Sequence, residues 1–108
     1  MQSGPTSLEE LIEKLASPLH EPVRLGILML LHFHKELAFS TIQKGLGVTS
    51  GNLNTHLSRL ESEGLILSQK AFVNLRPRTV ISISSEGRKA LKSYSSSLKE
   101  IIQTISNK

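Results

Sequence analysis

Apolar side chains recur along most of this chain at spacings of three and four residues, the pattern of amphipathic helices. Five segments follow the pattern, and the sequence predicts helices over residues 7–17, 21–36, 40–46, 49–63 and 85–106. Before the last helix, residues 65–83 are rich in β-branched side chains, several of which alternate along the chain, and this predicts a β-hairpin. We therefore expect a mainly α domain of the α+β class that contains one small hairpin.

Short motifs indicate where several of these helices begin. Ser7 with Glu10, and Ser40 with Gln43, have the spacing of a capping box, in which two side chains satisfy free backbone N–H groups. Pro22 suits the first position of the second helix, where an N–H group is not needed. The residues predicted to cap the fourth and fifth helices are Thr49 or Ser50 and Ser84 or Ser85.

The second predicted helix differs from the others because it is apolar nearly all round. Its central run, residues 25–31, contains only aliphatic side chains, methionine and one glycine. A helix of this kind belongs at the centre of a core. A chain of 108 residues is long enough for one such core, so we take residues 1–108 as a single domain.

The fourth predicted helix carries a face of small polar residues opposite its stripe of Leu53, Leu57 and Leu60. A merely solvated face is usually rich in Lys and Glu, and that is the simpler alternative. Asn can pair with adenine, Arg can pair with guanine, and Thr can touch the thymine methyl group. We therefore interpret Asn52, Asn54, Thr55, Ser58 and Arg59 as candidates for reading bases in a DNA groove. Gly51 at the helix start would let a phosphate approach closely, although an ordinary turn glycine would look the same. Together with Ser50, these residues make up the predicted DNA-binding face of the helix.

Charge is distributed unevenly along the chain. Residues 1–67 carry five Lys/Arg against seven Asp/Glu, a net charge of −2, whereas residues 68–108 carry eight against two, a net charge of +6. A basic half suggests an anionic partner, although a charge that only aids solubility would look the same. Lys70, Arg76 and Arg78 lie near the predicted hairpin tip, where residues 74–77 are typical of a turn. A basic tip stiffened by proline suits a narrow minor groove.

The last predicted helix has an apolar seam with alternating spacings of three and four residues. At about 1.5 Å per residue its 22 residues span about 33 Å, which is more than the core of so short a chain can cover. We expect its far end to pack, with the first helix, against a second subunit. The predicted interface residues of this homodimer are Leu8, Leu11, Leu15, Tyr94, Leu98, Ile101, Ile102 and Ile105.

Several function classes find no support in the sequence. There is no cysteine, and His32 and His34 face apart on a helix, so we expect no metal site. No nucleophile elbow, phosphate-binding loop or dinucleotide motif is present, so we expect no enzyme and no cofactor. No apolar run approaches a membrane span and the first residues do not resemble a signal peptide. We therefore expect a cytoplasmic protein with no membrane partner.

The order of the predicted elements is that of a winged helix-turn-helix, and several segments resemble known regulators. Residues 22–28 resemble the start of the core helix in ArsR-like regulators, and residues 48–60 are similar to their recognition helix. Residues 76–79 and 83–91 resemble the wing and the following helix of MarR-like and PadR-like regulators. This resemblance covers about residues 18–95. It implies a dimeric DNA-binding transcriptional regulator with its recognition helix in the major groove and its wings over the minor groove.

Two features differ from those families. The chain has no set of Cys or clustered His/Asp ligands like that of ArsR-like metal sensors, and it is shorter than typical MarR-like proteins with a ligand pocket. The alternative function is a winged-helix protein–protein interaction module of a larger assembly. Such a docking face normally shows exposed aromatic or leucine side chains. The sequence leaves open the operator, the regulated genes, activation or repression, and any small-molecule effector.

Overall fold

Five helices and a three-stranded antiparallel sheet make up the described part of the chain, residues 7–15 and 17–107 of a computed structural model. The sheet has the strand order β1-β3-β2. This arrangement confirms the predicted α+β class. In chain order the elements are α1 (Leu8–Leu15), α2 (Pro22–Phe33), β1 (Leu37–Ala38), α3 (Phe39–Leu46), α4 (Ser50–Ser62), β2 (Ile66–Val73), β3 (Arg76–Ile83) and α5 (Ser85–Ser106).

The core lies where α2, α3 and α4 meet the base of the sheet and the first half of α5. The three helices and the sheet bury aliphatic side chains there, and α5 adds Tyr94. Burial of this apolar surface is the main driving force that holds the elements together. The largest fully buried side chains are Leu19, Ile27, Leu28, Leu31, Ile42, Leu53, Leu60, Ile66 and Ile81.

Helix α2 is central to the core, as its sequence predicts, but it is shorter and one flank of it is exposed. It ends at Phe33 rather than near residue 36, because His34 is already extended and the chain must reach strand β1 at Leu37. Met29 is about half exposed, and Phe33 is 74% exposed. Both line an open groove of about 610 Å³ between α2 and α5. The apolar flank of α2 is therefore covered only in part by the described chain.

Helix α3 begins at Phe39, directly after strand β1. Ala38 occupies the N-cap position without a side-chain cap, and Ser40 lies inside the helix, so the predicted capping box of Ser40 and Gln43 is wrong. The sheet decides this boundary, since Ala38 pairs with Val80 of β3. The chain turns into the helix as soon as that pairing ends.

The other helix caps agree with the sequence. The Glu10 N–H donates to Ser7 Oγ at 3.2 Å, while the Ser7 N–H donates to Glu10 Oε1 at 3.3 Å, which completes the first capping box. Thr49 caps α4 by accepting from the Asn52 N–H. Ser84 caps α5 by accepting from the Gly87 N–H at 2.9 Å. These caps fix the residues at which α1, α4 and α5 begin.

The hairpin turn contains two residues rather than the four that the sequence predicts. Asn74 and Leu75 form the turn with positive φ values of 54° and 66°, while Arg76 and Pro77 already belong to β3. Pro77 is tolerated there because β1 pairs only with Val80 and Ile81, which leaves the other edge of β3 free at the proline. Pro77 therefore stiffens a strand and not the turn.

The first half of α5 joins the core and its second half leaves it. Tyr94 is only 7% exposed, and its hydroxyl lies 2.9 Å from His20 Nδ1. The structure thus places Tyr94 in the core of a single chain, where little of it is left for the predicted dimer interface. Ile102 and Ile105 lie beyond the core and are more than half exposed. The side chains of Leu8 and Leu11 lie outside the described part of the structure.

Gly87 fixes the contact between the start of α5 and the base of the hairpin. A Cβ atom at this position would overlap the Leu65 carbonyl oxygen and lie 2.7 Å from Ile83 Cγ1. The same Leu65 oxygen accepts the Ser84 N–H at 3.0 Å, so it has no freedom to move aside. Only glycine allows this close approach.

Replacing Gly87 with Ala should therefore lower the free energy of unfolding by about 1–3 kcal/mol, as overpacking does. The measurement is urea denaturation followed by circular dichroism. Gly51→Ala is the matched control, because a Cβ atom at Gly51 meets no heavy atom within 4 Å. Equal stability of the two variants would contradict the packing argument.

Candidate nucleic-acid interface

The polar face of α4 points away from the core. Leu53, Leu57 and Leu60 are buried and determine the rotation of the helix about its axis. Every residue that the sequence assigned to the opposite face is exposed, so the face is presented along the whole helix. These residues are Ser50, Gly51, Asn52, Asn54, Thr55, Ser58 and Arg59.

A tight turn joins α3 to α4 as a helix-turn-helix. Gly47 adopts a left-handed conformation with φ 65°, and its N–H donates to the Gln43 carbonyl at 2.9 Å. This is the geometry in which glycine ends a helix with little steric cost. Thr49 then caps α4 two residues later. The start of α4 is thus held in place beside α3.

The side chains of the polar face differ in how they are engaged. The Thr55 hydroxyl donates to the Gly51 carbonyl at 3.0 Å, so its methyl group is the part left for an outside contact. Arg59 Nε lies 3.4 Å from Glu63 Oε2, one turn further along the helix. Both partners of this pair are about half exposed, and surface pairs of this kind contribute little. Arg59 is therefore free to exchange its carboxylate for another acceptor.

A polar network that sequence reasoning missed ties α4 to the start of α2. Arg24 Nε donates to the Pro18 carbonyl at 2.5 Å, and Arg24 Nη1 donates to His56 Nδ1 at 3.0 Å. The Glu21 carboxylate accepts the Arg24 N–H at 2.7 Å and lies 3.6 Å from His56 Nδ1. One guanidinium thus bonds the loop before α2 and the helix that carries the polar face. Arg24 and His56 are 32 residues apart, and no local pattern links them.

The hairpin carries its cations on exposed positions outside the core. Strand alternation places Arg76 and Arg78 on one face and Lys70 on the other, and all three are exposed. Val80 is the last buried residue towards the tip, which lies five residues and therefore about 16 Å further out. Residues 65–85 contain no Asp or Glu. All the charged side chains of the projecting part of the hairpin are therefore cations.

The tip of the hairpin is also apolar, which the sequence analysis did not anticipate. Leu75 is 95% exposed, and Phe72 nearby is also largely exposed. The left-handed backbone of Leu75 costs a residue with a Cβ atom on the order of 1 kcal/mol. The pattern of residues 74–77 predicted a turn, but it did not show which of them would sit at the strained apex.

Comparison of the sequence with known protein families identifies the family of this chain. Residues 23–102 match a family model described as a winged helix DNA-binding domain. The chain belongs to this winged helix DNA-binding family. The family consists of DNA-binding regulators and not of enzymes, which confirms the resemblance inferred from the sequence and the expectation that the chain is no enzyme.

Relatives of this winged helix DNA-binding domain include archaeal proteins. An uncharacterized protein of Methanocaldococcus jannaschii is 36% identical over 85 residues, which cover 79% of this chain and 89% of that protein. The structure of a transcriptional regulator homologue from Pyrococcus horikoshii OT3 is 42% identical with a TM-score of 0.84. That similarity covers 91% of this chain and 98% of the Pyrococcus chain. The chain is thus similar to a transcriptional regulator homologue over nearly its whole length.

More distant structures share the fold. A mutant of MepR from S. aureus, bound to an oligodeoxyribonucleotide, is 24% identical with a TM-score of 0.70. That similarity covers 93% of this chain and 76% of the MepR chain. Among the described residues of the winged helix domain, no helix is long and apolar enough to cross a membrane. In the same part of the chain, no three His, Asp or Glu side chains gather as metal ligands.

Arg24→Ala should lower the free energy of unfolding by about 1–3 kcal/mol, because it leaves the Pro18 carbonyl and His56 without their donor. Arg24→Lys should not restore the loss, since one ammonium group cannot reproduce the guanidinium fork. Thermal and urea denaturation measure both effects. Arg88→Ala on the exposed face of α5 is the control. If the Arg24 variants are as stable as the control, the network does not anchor α4.

Proposed function

We propose that this protein is a sequence-specific, double-stranded DNA-binding transcriptional regulator that acts as a cytoplasmic homodimer, with residues 1–108 as one domain. The observation that carries the proposal is the exposed, hydrogen-bonding face of α4, held in a helix-turn-helix beside a cationic hairpin. Membership of the winged helix DNA-binding family supports it. In this proposal α4 is the recognition helix in the major groove, and the hairpin is a wing at the minor groove.

The α4 face offers the side chains that direct readout of bases requires. Asn52 and Asn54 would each bond an adenine edge, and Arg59 would bond a guanine after leaving Glu63. The exposed Thr55 methyl group would contact a thymine methyl group. Gly51 has open space around its Cα and lies in the first turn of α4, where N–H groups and the helix dipole favour a phosphate. Ser50 and Ser58 would add hydrogen bonds at the edges of the face.

The wing supplies the electrostatic part of binding. Arg76 and Arg78 share one face of the projecting hairpin, which suits the enhanced negative potential of a narrow minor groove. Lys70 lies on the opposite face, closer to the core, where it would contact a phosphate. Phosphate contacts position the protein, while the α4 side chains provide the sequence preference.

The dimer is proposed from the apolar surface that one chain leaves uncovered. Ile105 is 69% exposed, and Ile102 and Ile12 are more than half exposed. All three lie on α5 or α1, the helices that the sequence assigned to the interface, and Leu15, Leu98 and Ile101 are only partly buried. A two-fold dimer would place its two recognition helices about 34–36 Å apart, one turn of DNA, on a pseudo-palindromic site.

The alternative, a protein-interaction module, is less well supported at α4. The exposed residues of this helix are all polar or glycine. A helix face that docks onto a protein is usually enriched in aromatic and other large apolar side chains. The observed face therefore favours a polar, hydrogen-bonding partner such as the edges of base pairs.

The test is fluorescence anisotropy with a duplex selected from a random pool and with a random duplex, each at several salt concentrations. Preference for the selected duplex that persists as salt rises is expected of a specific regulator. Equal binding to both, lost steeply with salt, would contradict sequence specificity. Absence of binding to either at low salt would favour the interaction module.

In the same assay, Arg76→Ala with Arg78→Ala should weaken binding and reduce the slope of log K against log salt by about two, since roughly one counterion is released per phosphate contact. Arg88→Ala with Lys92→Ala removes the same charge from α5 and is the matched control. If both double variants bind alike, only net charge matters and the wing makes no contact.

Ile102→Lys with Ile105→Lys should convert the dimer to a monomer, because two charges would then lie in an apolar interface. Size-exclusion chromatography with light scattering gives the mass. Leu67→Lys, at an exposed leucine of β2, is the control and should leave the dimer intact. A dimeric mass for the double variant would exclude the end of α5 from the interface.

A further inference from the structure

Leu75 combines two properties that the fold itself does not explain. It lies at the apex of the wing, where the Val73–Arg76 pair closes the two-residue turn, and its backbone has a φ of 66°. Its side chain is 95% exposed, the highest exposure among the large apolar residues that the structure describes. A γ-branched residue is thus held in the left-handed region with its side chain in solvent.

Another residue at this position would make the isolated chain more stable. Two-residue turns with positive φ at both positions favour Asn followed by Gly, and Asn74 already fits the first position. Glycine at the second position would remove the strain and the exposed apolar surface together. A residue that strains the backbone and makes no stabilising contact within the fold indicates a contact with a binding partner.

The surroundings of Leu75 indicate what that contact is. Arg76 and Arg78 follow it directly on β3, and residues 65–85 contain no acidic side chain. The hairpin projects about 16 Å beyond its last buried residue, so the tip reaches a partner without obstruction by the core. An apolar apex on a cationic stalk is complementary to a minor groove, whose apolar base stacks lie between two rows of phosphates.

We propose that Leu75 is an apolar wedge that enters the minor groove and partly unstacks one base step, while Arg76 and Arg78, which share one face of the hairpin, hold phosphates along one side of the groove. This inference rests on the proposed DNA-binding function and adds a residue that selects the site. Pyrimidine–purine steps are the most easily unstacked, so the wing would favour such a step at a fixed distance from the bases that α4 reads. The strained turn presents the side chain outward before DNA arrives.

The test compares variants that separate the side chain from the backbone strain. Leu75→Asn keeps a residue that tolerates positive φ but removes the apolar side chain, and Leu75→Gly also relieves the strain. Leu75→Met keeps an apolar side chain of similar volume. Leu67→Asn, at an exposed leucine of β2 near the core, is the matched control. Thermal denaturation of all four shows whether the hairpin remains folded.

Binding is measured by anisotropy on the duplex selected from the random pool. Leu75→Asn and Leu75→Gly should each lower the affinity about tenfold or more, the effect of losing one buried leucine, without a lower melting temperature. Leu75→Met and Leu67→Asn should stay within about threefold of the original chain, well below that tenfold loss. An unchanged affinity for Leu75→Asn would overturn the proposal.

A second readout detects the unstacking itself. The fluorescent base 2-aminopurine, placed in turn at each step of the duplex flank under the wing, should brighten at one step when the original chain binds. The signal should be absent with Leu75→Asn at saturating protein. Affinity that falls without any fluorescence signal from the original chain would overturn the wedge.

Two further outcomes would also overturn the inference, for different reasons. If the original chain does not bind DNA at all, the proposed function fails and the wedge fails with it. If the chain binds DNA normally but Leu75→Asn changes only its mass in solution, the wing tip with Phe72 is a contact between protein chains. In the first outcome both proposals fail, whereas in the second the proposed function stands and only the wedge is lost.

Discussion

The exposure of the polar face of α4 depends on the packing of one leucine stripe. Leu53, Leu57 and Leu60 of α4 lie in a core that also contains Ile27 and Leu28 of α2. Because side chains on a helix occupy set angles around its axis, burying this stripe turns the small polar residues outward as a group. The polar face needs no further device to be exposed. A well-packed stripe necessarily leaves the opposite face of the helix exposed. The same packing holds the helix firmly, although its apolar content is modest.

Two further contacts hold α4 and the hairpin in position. One is a set of hydrogen bonds, and the other is a close approach of two backbone segments. The Arg24 guanidinium bonds both the Pro18 carbonyl and His56, which ties the α4 helix to the beginning of α2. At the other side of the fold, the Leu65 carbonyl accepts the Ser84 N–H and lies against Gly87. This joins the base of the hairpin to α5. Helix α4, the hairpin and α5 are thus connected through one core.

The wing shows how a fold tolerates features that do not stabilise it. Pro77 is accommodated because β3 has no neighbour at that position, and Leu75 adopts a strained backbone at an exposed apex. Neither residue packs in the core, and the cations beside them meet no acidic partner along residues 65–85. Local structure of this kind is expected where binding and not folding sets the requirement.

The sequence alone determined the helices, the hairpin, the cap at Ser7 and the outward face of α4, because periodicity and capping are local properties. It narrowed the caps of α4 and α5 to two residues each, and the structure shows Thr49 and Ser84 in these positions. Tertiary structure decided the rest. Pairing of Ala38 with Val80 moved the start of α3, and the path to β1 shortened α2. Packing within one chain buries Tyr94, which the sequence assigned to the dimer interface. The Arg24–His56 contact and the apex position of Leu75 follow from distant segments meeting in space and from strand register, which no single stretch of sequence encodes.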